Sequence, residues 1–232
     1  GQNIANANTE GYVREELTIS SENPYQRGGL IIGTGSKATS VRQAIDVFLE
    51  KRIHTANADA STANARSEIA SQLELELREL GENDLSTRLN RFVTAITEVA
   101  NQPEQVSLRA DVIAQGELLA QDLQNLRGRL DRLRSDQTTR IDNLVNEANN
   151  LVDQVADLNK KIGGLESNGL LTSQAGGLRT QRYIALNRLS EIIPITYTEG
   201  SNGSVDIYSG GDYVLLSGQK QELVRTTESD RG

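Results

Sequence analysis

Apolar side chains at Ile141, Leu144, Ala148, Leu151, Val155, Leu158, Ile162 and Leu165 recur at alternating three- and four-residue steps. That period of about 3.5 places them on one seam of a single helix. Upstream, Leu119, Leu123, Leu126, Leu130 and Leu133 keep the same rhythm. The step from Leu133 through Gln137 to Ile141 inserts a four-residue stutter, which locally unwinds a supercoil. The pattern predicts one long helix from Asn101 to Gly164, opening at Pro103, whose missing N–H suits a first turn, and closing at Gly163-Gly164. At 1.5 Å per residue such a helix is on the order of 90 Å long. A seam two positions wide per heptad is not stable alone, so other helices of this chain or of neighbouring chains must lie along it.

The rest of the chain is read around that helix. Gly1 to Tyr12, dominated by Asn, Ala and Gly, reads as a loop, because side-chain amides compete for nearby backbone groups. Tyr12 to Ser20 partly alternates, with Val13, Leu17 and Ile19 on one side, as a half-buried strand does. A proline-containing loop, the apolar run Leu30-Ile31-Ile32 and a second strand over Lys37 to Val41 follow. From about Ser40 to Leu80, Leu49, Ile53, Ala56, Ala60, Ala63, Ser67, Ala70 and Leu77 keep heptad spacing and predict a second long helix with a seam of small residues. Gly81 ends it, Asn83 or Asp84 caps the next, and Leu85, Leu89, Phe92, Val93, Ile96 and Val99 mark a short amphipathic helix. A fourth helix spans Leu178 to Ile193 and stops at Pro194. Four strand-like runs close the chain, Ile195 to Glu199, Ser204 to Ser209, Tyr213 to Leu216 and Glu222 to Thr226, separated by Gly-containing turns.

These elements predict a mainly α fold with a smaller β part: an elongated antiparallel helix bundle or coiled-coil-like rod, with short strands near the N-terminus and a β-rich C-terminal segment. Residues 1–194 form the helical domain. Residues 195–232 are either the start of a second domain or a small sheet docked on the bundle. Composition agrees with thin bundles, since aromatics are 3% of the 232 residues, with no Trp and 2 Phe. The net charge of −8 and the lack of a clustered basic surface argue against nucleic acid as a partner. The chain has no Cys, which excludes disulfides and thiolate chemistry, and no run of about eighteen apolar residues, so no membrane insertion is expected. It has no Met and begins at Gly1, which predicts a piece of a longer protein.

Candidate chemistry is sparse. His54 is the single histidine, one residue off the proposed seam, and is expected on a solvated helix face. Gly33-Thr34-Gly35-Ser36-Lys37 lacks the spacing of a phosphate loop, because Ser36 separates Gly35 from Lys37. Arg127, Arg129, Arg132, Arg134 and Arg140 form a basic run whose interleaved Leu126, Leu130 and Leu133 make it a flank for ion pairs to an acidic neighbour. No nucleophile, base and carboxylate converge, so no enzyme, cofactor or metal site is expected.

Asn3, Ile4, Ala5, Asn6, Thr9, Gly11 and Tyr12 are similar to the N-N-I-A-N-x-x-T-P-G-Y signature of bacterial flagellar rod, hook and hook-associated proteins. Gln2 stands where Asn is usual and Glu10 replaces the proline. The order of elements, with the Gln181-Arg182 pair in the fourth helix, resembles the hook-filament junction members of that family. The resemblance implies an exported, extracellular structural component of the bacterial flagellum that joins hook to filament by side-chain packing. Its implied partners are other copies of itself, the hook protein and the next junction protein, and the helix seam Ile141, Leu144, Ala148, Leu151, Val155, Leu158 and Ile162 would be a packing surface. The alternatives are another axial protein, of the hook or distal rod, and a non-flagellar coiled-coil adaptor. Hook and rod proteins should be richer in β sequence, and an adaptor would not need the signature.

Overall fold

A computed structural model describes residues 2–5, 7–8, 12–43, 45–78, 85–167, 173–200 and 203–226. Asn6, Thr9 and Gly11 of the signature lie outside these, as do the expected helix breaker Gly81 and the caps Asn83 and Asp84. The elements run α1 (Gln2–Ala5), β1 (Glu15–Ser21), β2 (Tyr25–Arg27), β3 (Leu30–Ile32), β4 (Ser36–Gln43), α2 (Val47–Arg78) and α3 (Leu85–Asn101). They continue with α4 (Val106–Ser167), α5 (Ser173–Ile192), β5 (Thr196–Glu199), β6 (Val205–Ser209), β7 (Asp212–Leu216) and β8 (Gln219–Lys220). The fold is mainly α, with short antiparallel strands near the N-terminus and a four-stranded antiparallel sheet near the C-terminus.

The chain divides into two compact units, one of residues 1–61 with 143–232 and one of residues 62–142. Helix α4 has 62 residues, which is about 93 Å of α-helix at 1.5 Å per residue. It starts later than expected, after a turn at Pro103-Glu104, because α3 runs on to Asn101. Gly163-Gly164 does not end it, and the helix passes through both glycines to Ser167. Glycine only weakens a helix by about 1 kcal/mol, and the burial of Leu158 and Ile162 just upstream offsets that.

In the first unit the core is built from α4, α5 and the sheet. Ala148, Val152, Val155 and Ala156 of α4 pack with Ala185, Leu186 and Leu189 of α5 and with Val205, Ile207, Val214 and Leu215 of the strands. The sheet is an up-and-down meander ordered β5-β6-β7-β8, with one irregularity between Ile207 and Tyr208. Its last strand differs from expectation. Ser217 and Gly218 both take positive φ, which closes a tight turn, and β8 pairs at Gln219–Lys220 rather than over 222–226.

The N-terminal strands form two antiparallel pairs, β1 with β4 and, nested between them in sequence, β2 with β3. A bond from Glu22 N–H to the Gly35 carbonyl at 2.9 Å extends the first pair toward the second. Gly28 and Gly29, both at positive φ, turn the tip, so the proline-containing stretch holds a strand where a loop was expected. The Asn-rich opening carries one helical turn, Gln2–Ala5.

In the second unit α2 runs antiparallel to α4. Gln137 donates to Gln72 at 2.9 Å, Arg129 pairs with Glu76 at 3.2 Å and Arg140 with Glu68 at 2.7 Å. The stutter position Gln137 thus meets another glutamine. Two arginines of the basic run have their acidic neighbour within the chain. Helix α3 faces α4 along Phe92, whose ring lies 3.2 Å from where a Cβ would stand on Gly116.

The small-residue row of α2 is not its packing face. Ala56, Ala60, Ala63, Ser67 and Ala70 are exposed, and Leu49 is half exposed. The inward face carries Glu50, His54 and Asn57 instead, held by hydrogen bonds. Rows of alanine bury too little area to compete with such bonds.

Candidate assembly site

No group of His, Cys, Asp and Glu able to hold a metal occurs among the described residues. What the structure offers is a set of clamps that join segments distant in sequence.

The first recurs three times. Asn3 Nδ2 donates to the Glu15 carbonyl at 2.8 Å while its Oδ1 accepts the Glu15 N–H at 3.0 Å. Asn149 does the same with Leu223, at 2.9 Å for both bonds. Asn159 does it with Val205, at 2.8 and 3.1 Å. In each case a side-chain amide reproduces the donor-acceptor pair that a neighbouring strand would present. Asn159 thereby fastens β6 to α4, and Asn149 fastens the stretch that follows β8. Asn3 fastens the N-terminal turn to the base of β1, and Tyr12 reinforces it by donating from its hydroxyl to Asn3 Oδ1 at 2.9 Å.

The second clamp is Arg182, almost wholly buried. It donates to Asn159 Oδ1 at 2.9 Å, to the Gly203 carbonyl at 2.5 Å and to Glu199 Oε1 at 2.7 Å. Burial pulls its pKa below the ordinary range, and Glu199 opposes that. One guanidinium therefore ties α5, α4 and the loop before β6 together.

The third is a polar ladder between α2 and α5. Tyr183 donates to Glu50 Oε1 at 2.7 Å, His54 Nε2 meets Asn187 Oδ1 at 2.9 Å, and Asn57 donates to Ser190 Oγ at 3.2 Å. All three pairs are separated by 133 residues, so the two helices run in the same direction. His54 is 2% exposed, which corrects the solvated position expected for it. It lies 3.9 Å from Glu50 Oε2, and its ring centroid lies 5.5 Å from that of Tyr197. Spacing counted on apolar positions placed His54 off the seam; here the face of α2 is polar, so the count followed the wrong row. Burial raises the pKa of Tyr183 and pushes that of Tyr197 up to about 12, with Glu50 adding to both.

The remaining residues singled out from sequence are placed as follows. Ile4 and Ala5 are exposed. Along α4, Ala148, Val155, Leu158 and Ile162 are buried, Leu144 and Leu151 are half-buried, and Ile141 is 46% exposed. Val152, Ala156 and Asn159 are buried beside them, so the contact is wider than a two-position seam because a sheet as well as a helix covers it. Asn149, Asn159 and Tyr183 were missed. Polar residues interrupting an apolar helix face were the available signal for the two asparagines.

Residues 70–232 match the family model described as the flagellar hook-associated protein FlgK helical domain. The chain is 28% identical to flagellar hook-associated protein 1 of Bacillus subtilis (strain 168), over 95% of this chain and 45% of that protein. It is 24% identical to flagellar hook-associated protein 1 of Escherichia coli (strain K12), over 93% of this chain and 39% of that protein. It thus spans less than half the length of these relatives. Among solved structures, the flagellar hook junction protein FlgK from Burkholderia pseudomallei shares the fold at a TM-score of 0.62 and 19% identity, over 73% of this chain and 29% of that one. With the family model covering well over half of it, this chain belongs to the FlgK helical-domain family of flagellar hook-associated proteins.

Proposed function

We propose that the protein carrying this chain is a structural component of the bacterial flagellum, exported to the cell exterior, where it joins hook to filament by packing against neighbouring subunits. The observation that carries this reading is the family match over residues 70–232. The bonded turn of Asn3 and Tyr12 supports it from the other end of the chain, because the two signature residues that touch each other also anchor the first strand. Other copies of the chain, the hook protein and the next junction protein are its partners. Asn3 and Tyr12 of the signature set the turn that leads into β1. The α4 residues Ala148, Leu151, Val155, Leu158 and Ile162 supply the rigid core behind the assembly surfaces. The mechanism is interlocking of side chains, with repeated contacts between subunits building the assembly.

Electron microscopy of a flagellated strain lacking the full-length gene tests this. Bare hooks, with filament subunits shed into the medium and filaments restored on complementation, are expected. Normal filaments on the deletion strain would overturn the reading.

A further inference from the structure

Within residues 62–142, α3 and α4 meet along a line marked by Phe92 and Gly116. To one side of that line Arg91, Thr94 and Glu98 of α3 face Asp111 and Gln115 of α4 across a polar cleft of about 360 Å³. Turning by about 100° per residue puts Leu89, Val93 and Ile96 on the opposite side of α3, and Val106, Ile113 and Glu117 on the matching side of α4. The five apolar residues among them are 45% to 75% exposed. A row of this kind in water marks an interaction surface.

Charge along α4 indicates what covers it. Between residues 104 and 122 the chain has Glu104, Asp111, Glu117 and Asp122 against Arg109 alone. Between 127 and 140 it has Arg127, Arg129, Arg132, Arg134 and Arg140 against Asp131 and Asp136. Internal pairs use Asp122 with Arg88, Arg129 with Glu76 and Arg140 with Glu68. Glu104 and Glu117 stay exposed in the acidic stretch, and Arg127, Arg132 and Arg134 in the basic one. The contact of Arg127 with Asp131, at 3.8 Å and largely exposed, holds neither strongly.

We propose that the flank of Leu89, Val93, Ile96, Ile113 and Glu117 docks the basic middle of α4 from a second copy of this chain. In-register packing of two copies sets like charges together. A parallel shift of 17 residues, from Glu117 to Arg134, is about 25 Å along the helix and sets carboxylate beside guanidinium. The shifted contact uses different surfaces on the two copies, so each bound copy presents a fresh site and the contact repeats. The proposal rests on the junction reading, since it names the surface through which copies assemble.

The test uses the full-length protein in its own bacterium, with any cysteine outside this cysteine-free chain exchanged for serine. Glu117→Cys and Arg134→Cys are introduced together, hooks with their junctions are isolated, and the sample is oxidised. The two positions lie too far apart on one helix to join within a copy, so a ladder of linked dimers and higher species is expected. Thr94→Cys with Arg134→Cys, which uses the polar-cleft side, is expected to give none. Filaments without a ladder from the first pair, or an equal ladder from the second, would overturn the proposal. Charge reversal supplies an independent measurement. Glu117→Lys, or Arg134→Glu, should each lower filament-bearing cells about tenfold, and co-expression of the two variants should restore them; failure to restore counts against the surface. Should the gene deletion leave filaments intact, the junction reading fails by itself. Cross-linking of the concentrated full-length protein then decides the surface alone, a ladder supporting it and none overturning it.

Discussion

The first half of α4 and its last third both carry many apolar side chains but bury them to different extents. From 148 to 162, Ala148, Val152, Val155, Leu158 and Ile162 are buried, and the core they help build takes in Leu186 and Leu189 of α5 and the strands' Val205, Ile207 and Leu215. From 106 to 123, Val106, Ile113, Leu118 and Leu123 stay exposed, and in residues 62–142 Ala95 alone among the described residues is fully buried. The difference is in the number of layers. Helix, helix and sheet enclose a core, whereas contacts of one helix on another leave the outer row of each in water. One region encloses its apolar side chains; the other leaves a row in water, which is the row the proposed second copy would cover.

The largest effect that would sharpen this contrast is a core truncation. Leu189→Ala, at a fully buried site, should cost about 2–5 kcal/mol, while Ile113→Ala should cost under about 1 kcal/mol, both read from urea unfolding. Equal losses would break the comparison. Next, Arg182→Ala should cost about 1–3 kcal/mol, because it strands the Gly203 carbonyl at a buried site, and it should release the sheet before the helices melt. Asn159→Ala removes both bonds to Val205 and should cost about 1–3 kcal/mol, with faster amide exchange in β6 as its local sign.

Alkaline titration probes the same unit. Folding raises the Tyr197 pKa from an ordinary value of 10.0 to about 12, so its contribution is complete below pH 10 and is lost as pH rises through 12. Tyr197→Phe should flatten the fall in stability over that window. The smallest effect is expected at Arg140 and Glu68, both about half exposed. Arg140→Ala should cost about 0.2–1 kcal/mol, and less at high salt.

Much of the helical layout was legible in the sequence. Helices α2 to α5 and the first three C-terminal strands lie near their predicted places, because periodicity and turn residues are local signals, although α2 starts at Val47 rather than near Ser40 since β4 runs on to Gln43. The errors have local causes too. Gly163-Gly164 reads as a stop, yet the burial of Leu158 and Ile162 just upstream carries the helix through it, and Glu222 to Thr226 reads as a strand although the turn at Ser217-Gly218 had already fixed the register of β8. The clamps were not legible. Asn149 bonds to Leu223 across 74 residues and His54 to Asn187 across 133, and neither separation leaves a trace in spacing.

By itself, then, the sequence determined which residues share a face of each helix, since that follows from 3.6 residues per turn and from nothing outside the helix. Only the tertiary structure decided what covers each face. It set a sheet and α5 over one end of α4, put a polar ladder where an alanine seam was expected on α2, and left Leu89, Val93, Ile96 and Ile113 in water. Burial is a property of what the rest of the chain brings near a residue, and no run of neighbouring residues encodes it.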